Sequence, residues 1–381
     1  MIIAVNTRLL IKDRMEGIGW FSYESLKRIT CRHPEHKFIF IFDRAWSDEF
    51  IFSGNIIPVV AAPQARHPIL WYLYFEWSIP SVLRKHKADV FLSPDGWLSL
   101  RTDVPSLPVI HDLNFENYPE FIPSFVRKYY HYFFPRFARK AARIGTVSEF
   151  TRRDIVKRYG IDPQKIDVLY NGANETFQPL PHDEQQKIRE EYTQGCPYFL
   201  FVGLIHPRKN LARQIMAFDR FKERIPCNVK LLVAGSKKWW TDDIRRTYEN
   251  SPFRNEIIFA GRVNADRLKF IYASALALTY VSIFEGFGIP ILEAMACDIP
   301  VITSESSSMP EVGGNAVLYA DPFSVDSIAS AMMKIFNDEK LRNLLIEKGR
   351  IQRNNFSWEK TAGNLWNCIE KTMTEKNIIF L

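Results

Sequence analysis

Short apolar runs alternate with helical patterns along the whole chain. The runs Ile2–Val5, Phe38–Phe42, Ile56–Val60, Asp89–Leu92, Pro108–Ile110, Ile144–Val147 and Asp167–Leu169 read as strands. Several are almost continuously apolar, as strands covered on both faces of a parallel sheet should be. Between them lie helical stretches such as Trp20–Thr30 and Thr151–Tyr159. The second of these has a cap at Thr151 or Ser148 and a stop at Gly160. The alternation breaks around Asn174–Pro197, where Gln178–Pro181 is a proline-bearing linker and a polar helix follows near Asp183–Tyr192. A second series then begins: Tyr198–Val202, Val229–Ala234, Ile257–Phe259, Ala275–Thr279, Pro300–Thr303 and Ala316–Leu318. The pattern predicts two doubly wound α/β layers with a boundary near 175–185. Two domains also suit 381 residues, because single cores stop growing below that length.

In open parallel sheets ligands bind beyond the carboxyl ends of strands, so the residues that follow each strand carry the chemistry. After Ala275–Thr279 comes Glu285-Gly-Phe-Gly-Ile-Pro-Ile-Leu-Glu293. Gly286 and Gly288 allow close backbone approach to a ligand, and Pro290 suits a first helical turn. Glu285 is expected in the loop and Glu293 in that first turn. Free N–H groups between them suit a diphosphate, and the two carboxylates suit sugar and ribose hydroxyls. A plain glycine turn with an acidic first turn is the competing reading. After Tyr198–Val202 comes Gly203-Leu-Ile-His-Pro-Arg208-Lys209-Asn210, with Arg208 and Lys209 expected at a helix start. Arg grips phosphate oxygens bidentately and Lys adds a point charge. A solvated basic pair is the alternative.

These motifs, with Ala296-Cys-Asp-Ile-Pro-Val-Ile302 and Pro310-Glu-Val312, resemble the donor domain of glycosyltransferase family 4. The resemblance is dense over about residues 195–330 and looser before them. It implies the GT-B fold: two Rossmann-like doubly wound domains facing each other across a cleft. Residues 1–178 would form the acceptor-side domain and 179–360 the donor domain, with a helix over 360–381 packing back on the first. It further implies a retaining hexosyltransferase, of mannose or glucose type, that uses a UDP- or GDP-linked donor. Arg208 and Lys209 would then hold the diphosphate and Glu285 the sugar hydroxyls. Phe287 and Gly288 would lend backbone N–H groups, and Glu293 would hold the ribose. The base would lie near Ala260-Gly-Arg262. In the first half, Gly17-Ile-Gly19 would approach the donor phosphates and His111 the transferred sugar. Each of these also has a plainer reading, as a βα turn or a structural histidine. Many family members have Arg directly after the first glycine of the basic loop; this chain has Leu204, which shifts weight onto Lys209.

Composition narrows the partners. Net charge is +7 with pI near 9.0. That balance suits phosphorylated molecules, anionic lipid or nucleic acid. There is no RNP-like motif, helix-turn-helix pattern or zinc finger, so no nucleic-acid partner is expected. Five scattered cysteines without a CxxC pair argue for reduced thiols in the cytoplasm and against structural zinc. There is no Asp-x-Asp motif, and no metal or other cofactor is expected. No apolar run approaches the ~20 residues of a membrane span. Residues 121–143 hold six Lys or Arg, eight Phe or Tyr and no acid, with more aromatics at Trp71–Trp77. One reading is peripheral association with the inner face of an anionic membrane, beside a glycan or lipid-linked acceptor. The other is a packed helix with a solvated face. Two further functions stay open: a nucleotide-sugar epimerase or hydrolase on the same fold, and a non-catalytic basic membrane- or nucleic-acid-binding protein.

Overall fold

The computed structural model describes residues 1–236 and 240–379, with side chains as far as Thr374. Among the described residues the apolar runs become thirteen strands. β1 (Ile2–Asn6), β2 (Lys37–Phe42), β3 (Ile56–Val60), β4 (Val90–Ser93), β5 (Ser106–Ile110), β6 (Ile144–Thr146) and β7 (Ile166–Val168) form one sheet in the order β3-β2-β1-β4-β5-β6-β7. β8 (Tyr198–Val202), β9 (Lys230–Ala234), β10 (Ile257–Gly261), β11 (Ala277–Tyr280), β12 (Val301–Ser304) and β13 (Leu318–Ala320) form the other, ordered β10-β9-β8-β11-β12-β13. Every strand pair is parallel, for instance Ile3 opposite Phe38 in the first sheet and Leu200 opposite Leu232 in the second. Most strands are short, apolar and buried, because helices cover both faces of such a sheet, while the edge strand β3 exposes Ile57 and Val60.

The contacts divide the chain into two compact units. One contains Met1–Gly172 and the C-terminal helix Trp358–Ile379, and the other Ala173–Ser357. The C-terminal helix packs on the helix Gly17–Arg32 of the first unit. Its buried Leu365, Cys368 and Ile369 supply apolar contact, while Lys371 Nζ lies 2.7 Å from Asp167. Phe380 and Leu381, at the end of the expected 360–381 helix, lie outside the described residues.

Local chemistry sets the helix ends. Ser148 accepts a hydrogen bond from the Thr151 N–H and opens the helix Glu149–Tyr159; Gly160, at φ 65°, closes it. Several strands run one or two residues later than the apolar pattern suggests. β11 ends at Tyr280 rather than Thr279, and β13 starts at Leu318 rather than Ala316. Pairing register, not hydrophobicity, fixes those ends.

In both sheets the strand order reverses direction once. The reversals lie between β1 and β4 and between β8 and β11, and they open a crevice beyond the carboxyl ends of those strands.

Candidate active site

In the second unit, β8 runs into Gly203, whose φ of 131° belongs to glycine. The neighbouring loop presses on it: a Cβ on Gly235 would stand 1.9 Å from the Gly203 carbonyl oxygen. His206 then accepts a hydrogen bond from the Arg208 N–H, opening a single 3-10 turn, Pro207–Lys209. The sequence placed Arg208 and Lys209 at a helix start. They sit instead in this separate turn, and the long helix begins at Leu211. Asn210 makes the break by adopting φ 62°, while its amide donates to the Val281 and Pro322 carbonyls at 3.1 and 2.7 Å.

The turn aims both cations at one carboxylate. Arg208 pairs with Glu285 Oε2 and donates to the Phe284 carbonyl at 3.0 Å. Lys209 Nζ stands 2.6 Å from Glu285 Oε1 and 2.7 Å from the Tyr280 hydroxyl. Its side chain lies across Gly203, where a Cβ would meet Lys209 Cε at 3.5 Å. Burial alone would raise the Glu285 carboxyl, but the Arg208 and Lys209 charges outweigh it and hold the group at about 2. Glu285 is therefore ionised across the physiological range, and its state here is that of a counter-ion. Two cations thus converge at one point of the crevice. Between walls of low polarisability, positive groups attract an anion more strongly than they would in water.

The loop after Glu285 is braced from below. The Glu285 N–H donates to Ser307 Oγ at 3.0 Å, and Ser308 Oγ donates to the carbonyls of Glu285 and Phe287 at 3.0 and 2.7 Å. The Phe287 ring is buried against Phe356, which leaves only its backbone for a ligand. Gly286 follows directly on Glu285 in this loop, and Gly288, at φ 116°, opens the helix Ile289–Ala296. Pro290 lies in its first turn as expected, and no side chain caps it. Glu293 was expected in that first turn but is the fifth helical residue, one turn deeper, because Gly288 fixes the start. There the carboxyl faces the Tyr272 hydroxyl. Burial pushes its pKa up to about 7, against the smaller lowering effect of that hydroxyl. Tyr280 lies within electrostatic reach of both carboxylates and joins the two halves of the crevice. Arg262 follows Gly261 at the end of β10, and the Gly261 carbonyl accepts from the Gly235 N–H at 2.8 Å.

Arg208, Lys209, Glu285 and Gly203 are thus brought together, with Gly286–Gly288 and Glu293 on the adjoining loop and helix. Gly17, Gly19 and His111 belong to the other unit. A Cβ on Gly19 would stand 3.0 Å from the Leu9 carbonyl oxygen, whereas Gly17 has open space around it. His111 packs edge-on against Phe21, and burial lowers its pKa. Its Nε2 lies 2.8 Å from the Pro94 carbonyl, which can only accept. Nε2 therefore carries the proton, and Nδ1 presents a lone pair.

The sequence reading missed several parts of these crevices. Tyr280 fell one residue beyond the expected strand end. Tyr272 and Ser307–Ser308 come from neighbouring elements, and only the polar run Ser304–Ser308 after a strand hinted at them. At the first reversal Asp95 was also unseen. It accepts from Arg8 Nε at 2.6 Å and from the Asn6 amide at 2.9 Å.

Comparison with known proteins bears on the family and the fold. Residues 183–352 match the family model "Glycosyl transferases group 1", and residues 35–177 match "Glycosyltransferase Family 4". The O-antigen chain mannosyltransferase B of Escherichia coli is 27% identical over 97% of this chain and 98% of its own length. The O-antigen chain mannosyltransferase RfbU of Salmonella typhimurium is 31% identical over 84% of this chain and 87% of its own. A sucrose-phosphate synthase from Thermosynechococcus elongatus shares the fold, with TM-score 0.76 and 17% identity, over 98% of this chain and 99% of that one. Two parallel α/β sheets with these neighbours constitute the GT-B fold. The molecule is a nucleotide-sugar glycosyltransferase, and the chain belongs to glycosyltransferase family 4.

Proposed function

We propose that the chain is a retaining hexosyltransferase that moves mannose from a nucleoside diphosphate sugar to a glycan or lipid-linked glycan acceptor, without a metal ion. The observation that carries the reading is the pairing of Arg208 and Lys209 on the single carboxylate of Glu285. As the donor's C1–O bond to the β-phosphate breaks, negative charge builds on the departing oxygen. Arg208 and Lys209 stabilise that charge where it develops, and fixed groups of this kind are the largest single term in many enzymes. Diphosphate entry would draw Lys209 from Glu285 and release a carboxylate oxygen for a sugar hydroxyl. The acceptor oxygen bonds to C1 on the face the phosphate leaves, and its proton passes to that phosphate. Glu293 is an acceptor for the ribose. The names of the two mannosyltransferases favour mannose over glucose.

The test is transfer from GDP-mannose and from UDP-glucose to a bacterial glycan fragment, in the presence of EDTA, with the product's anomeric configuration read by NMR. An α-linked product from an α-linked donor is expected. Inversion would refute the retaining reading, and dependence on added divalent ion would refute the metal-free one.

A further inference from the structure

The helix Ser124–Lys140 divides its aromatic residues between two faces. Tyr129, Phe134 and Phe137 are buried, and Trp71 and Trp97 pack on Tyr129. Phe125 and Tyr132 are instead about half exposed, at 51% and 52%. They share a stripe with exposed Lys128, Arg136 and Arg139, at spacings of three and four residues. Arg136 lies over the Tyr132 ring at 3.7 Å.

A second stripe adjoins it. The helix Pro68–Leu73 exposes Ile69, Tyr72 and Leu73. A π turn over Tyr74–Ser78 then inserts one residue into the helical rise. Without it position 76 would continue the stripe. With it Trp77 faces out at 56% exposure, and Glu76 turns inward to accept from the Leu100 N–H at 2.9 Å. The segment's one acid is thereby removed from the surface. Arg101 lies over Trp77 at 4.1 Å. The stripes touch: Tyr72 meets Phe133 at 6.1 Å between ring centres, and His67 stacks on Phe125 at 5.5 Å. Among the described residues, six of the thirteen large exposed apolar side chains gather here, so the exposure is concentrated rather than scattered.

We infer that this double stripe, Ile69–Trp77 with Phe125–Arg139, is a docking surface for an anionic lipid bilayer. Charge decides the occupant. Cations flank apolar tips with no exposed acid within either stripe, which complements a negatively charged headgroup layer. The tips include Trp and Tyr, the side chains that settle at headgroup depth. Among the described residues no helix is long and apolar enough to cross a membrane, so the surface lies on the bilayer rather than through it. None of its residues belongs to the donor crevice, and the inference stands whether or not the donor assignment holds.

The experiment uses the full chain and vesicles of phosphatidylcholine with or without phosphatidylglycerol. Sedimentation with the anionic vesicles only is expected, weakening as salt shortens the screening length to ~10 Å near 0.1 M. The triple variant Lys128→Glu, Arg136→Glu, Arg139→Glu should lower the partition coefficient on the order of 100-fold, since each basic side chain near such a surface is worth roughly fivefold. Brominated lipid should quench the fluorescence of the unmodified chain, and much of that quenching should vanish in Trp77→Phe. This measurement needs no charge reversal and holds if the triple variant fails to fold. A chain that stays in the supernatant at low salt overturns the proposal. So does equal quenching in Trp77→Phe, or a folded triple variant that binds unchanged, either of which would point to a different surface. Nucleotide binding, measured in parallel, reports separately on the donor crevice.

Discussion

The two strand-order reversals are built alike and serve different ends. At the first, Arg8 follows β1 and Asp95 follows β4; at the second, Arg208 and Lys209 follow β8 and Glu285 follows β11. Arg8 is 9% exposed and Asp95 8%. The guanidinium gives Nε to Asp95 and Nη1 to the Ala65 carbonyl at 3.2 Å, beneath the rings of Trp97 and Phe75. Asp95 also takes the Asn6 amide, so charge and hydrogen bonds balance locally. In the second crevice two cations, Arg208 and Lys209, converge on Glu285, and a second carboxylate, Glu293, is raised to about 7 nearby. Topology provides the crevice in both units, and the charged groups gathered there decide whether it becomes a pin or a binding site.

If that contrast is right, deletions should damage different properties in the two places. Lys209→Met removes a fixed charge from the leaving group and should lower kcat by about 100- to 1,000-fold, as for loss of one preorganised donor. The fold should hardly notice, because Arg208 still neutralises Glu285. Steady-state kinetics and thermal unfolding on one preparation check both halves. Near-normal turnover would remove the crevice from the chemistry. Arg8→Leu should show the converse. It leaves a buried carboxylate without its partner, at a cost of about 3–5 kcal/mol of stability. Urea unfolding measures this; a variant as stable as the parent would mean that Arg8 is no pin.

A smaller effect separates backbone from charge. Gly203→Ala forces a side chain onto φ 131° and should cost about 1–3 kcal/mol. Any relief of that strain would shift the turn that carries Lys209, which the new Cβ would touch at 3.5 Å, so KM for the donor should rise alongside the loss of thermal stability. A stability loss with unchanged KM would detach the turn from the site.

How much of this the residues foretold follows from what each signal depends on. Burial on both faces writes a strand such as Tyr198–Val202 directly into composition, and the structure returns those same bounds. A cap is equally local, as Ser148 and Gly160 show. Arg208, Lys209 and Glu285 were legible as residues that follow strands, but their mutual ion pairing was not. That pairing needs Asn210 to break the helix and Ser307–Ser308 to brace the loop, from partners 21 or more residues apart in sequence. Glu293 slipped a turn because the helix start depends on the backbone angle of Gly288. The π turn at Tyr74–Ser78 left no mark in the apolar pattern, yet it decides that Trp77 rather than Glu76 meets solvent.

The smallest effect concerns the two carboxylates of the second crevice, which one environment drives apart. Glu285 is held at about 2, whereas burial pushes Glu293 up to about 7. A ribose hydroxyl donates better to a carboxylate than to a carboxylic acid. Donor affinity should therefore follow the ionised fraction of Glu293, since apparent affinity scales with the competent population. With a pKa of about 7, lowering pH from about 8 to about 6 cuts that fraction roughly tenfold, and Kd for a nucleotide sugar should rise by about the same factor. A nucleotide sugar suits the test because its diphosphate, esterified at both ends, does not titrate there. Glu293→Gln should bind more weakly at pH 8 and lose the dependence. The fold responds in the opposite sense. Because the folded pKa lies above the ordinary 4.5, the stability this group contributes is present below about 4.5 and is lost as pH rises through about 7. Thermal unfolding of the ligand-free chain should show that decline, and Glu293→Gln should flatten it. Glu285, depressed, gives its stability above about 4.5 and loses it only as pH falls toward about 2. A donor affinity that ignores pH between 6 and 8 would leave Glu293 without a role in binding. The crevice would then rest on Arg208, Lys209 and the loop backbone.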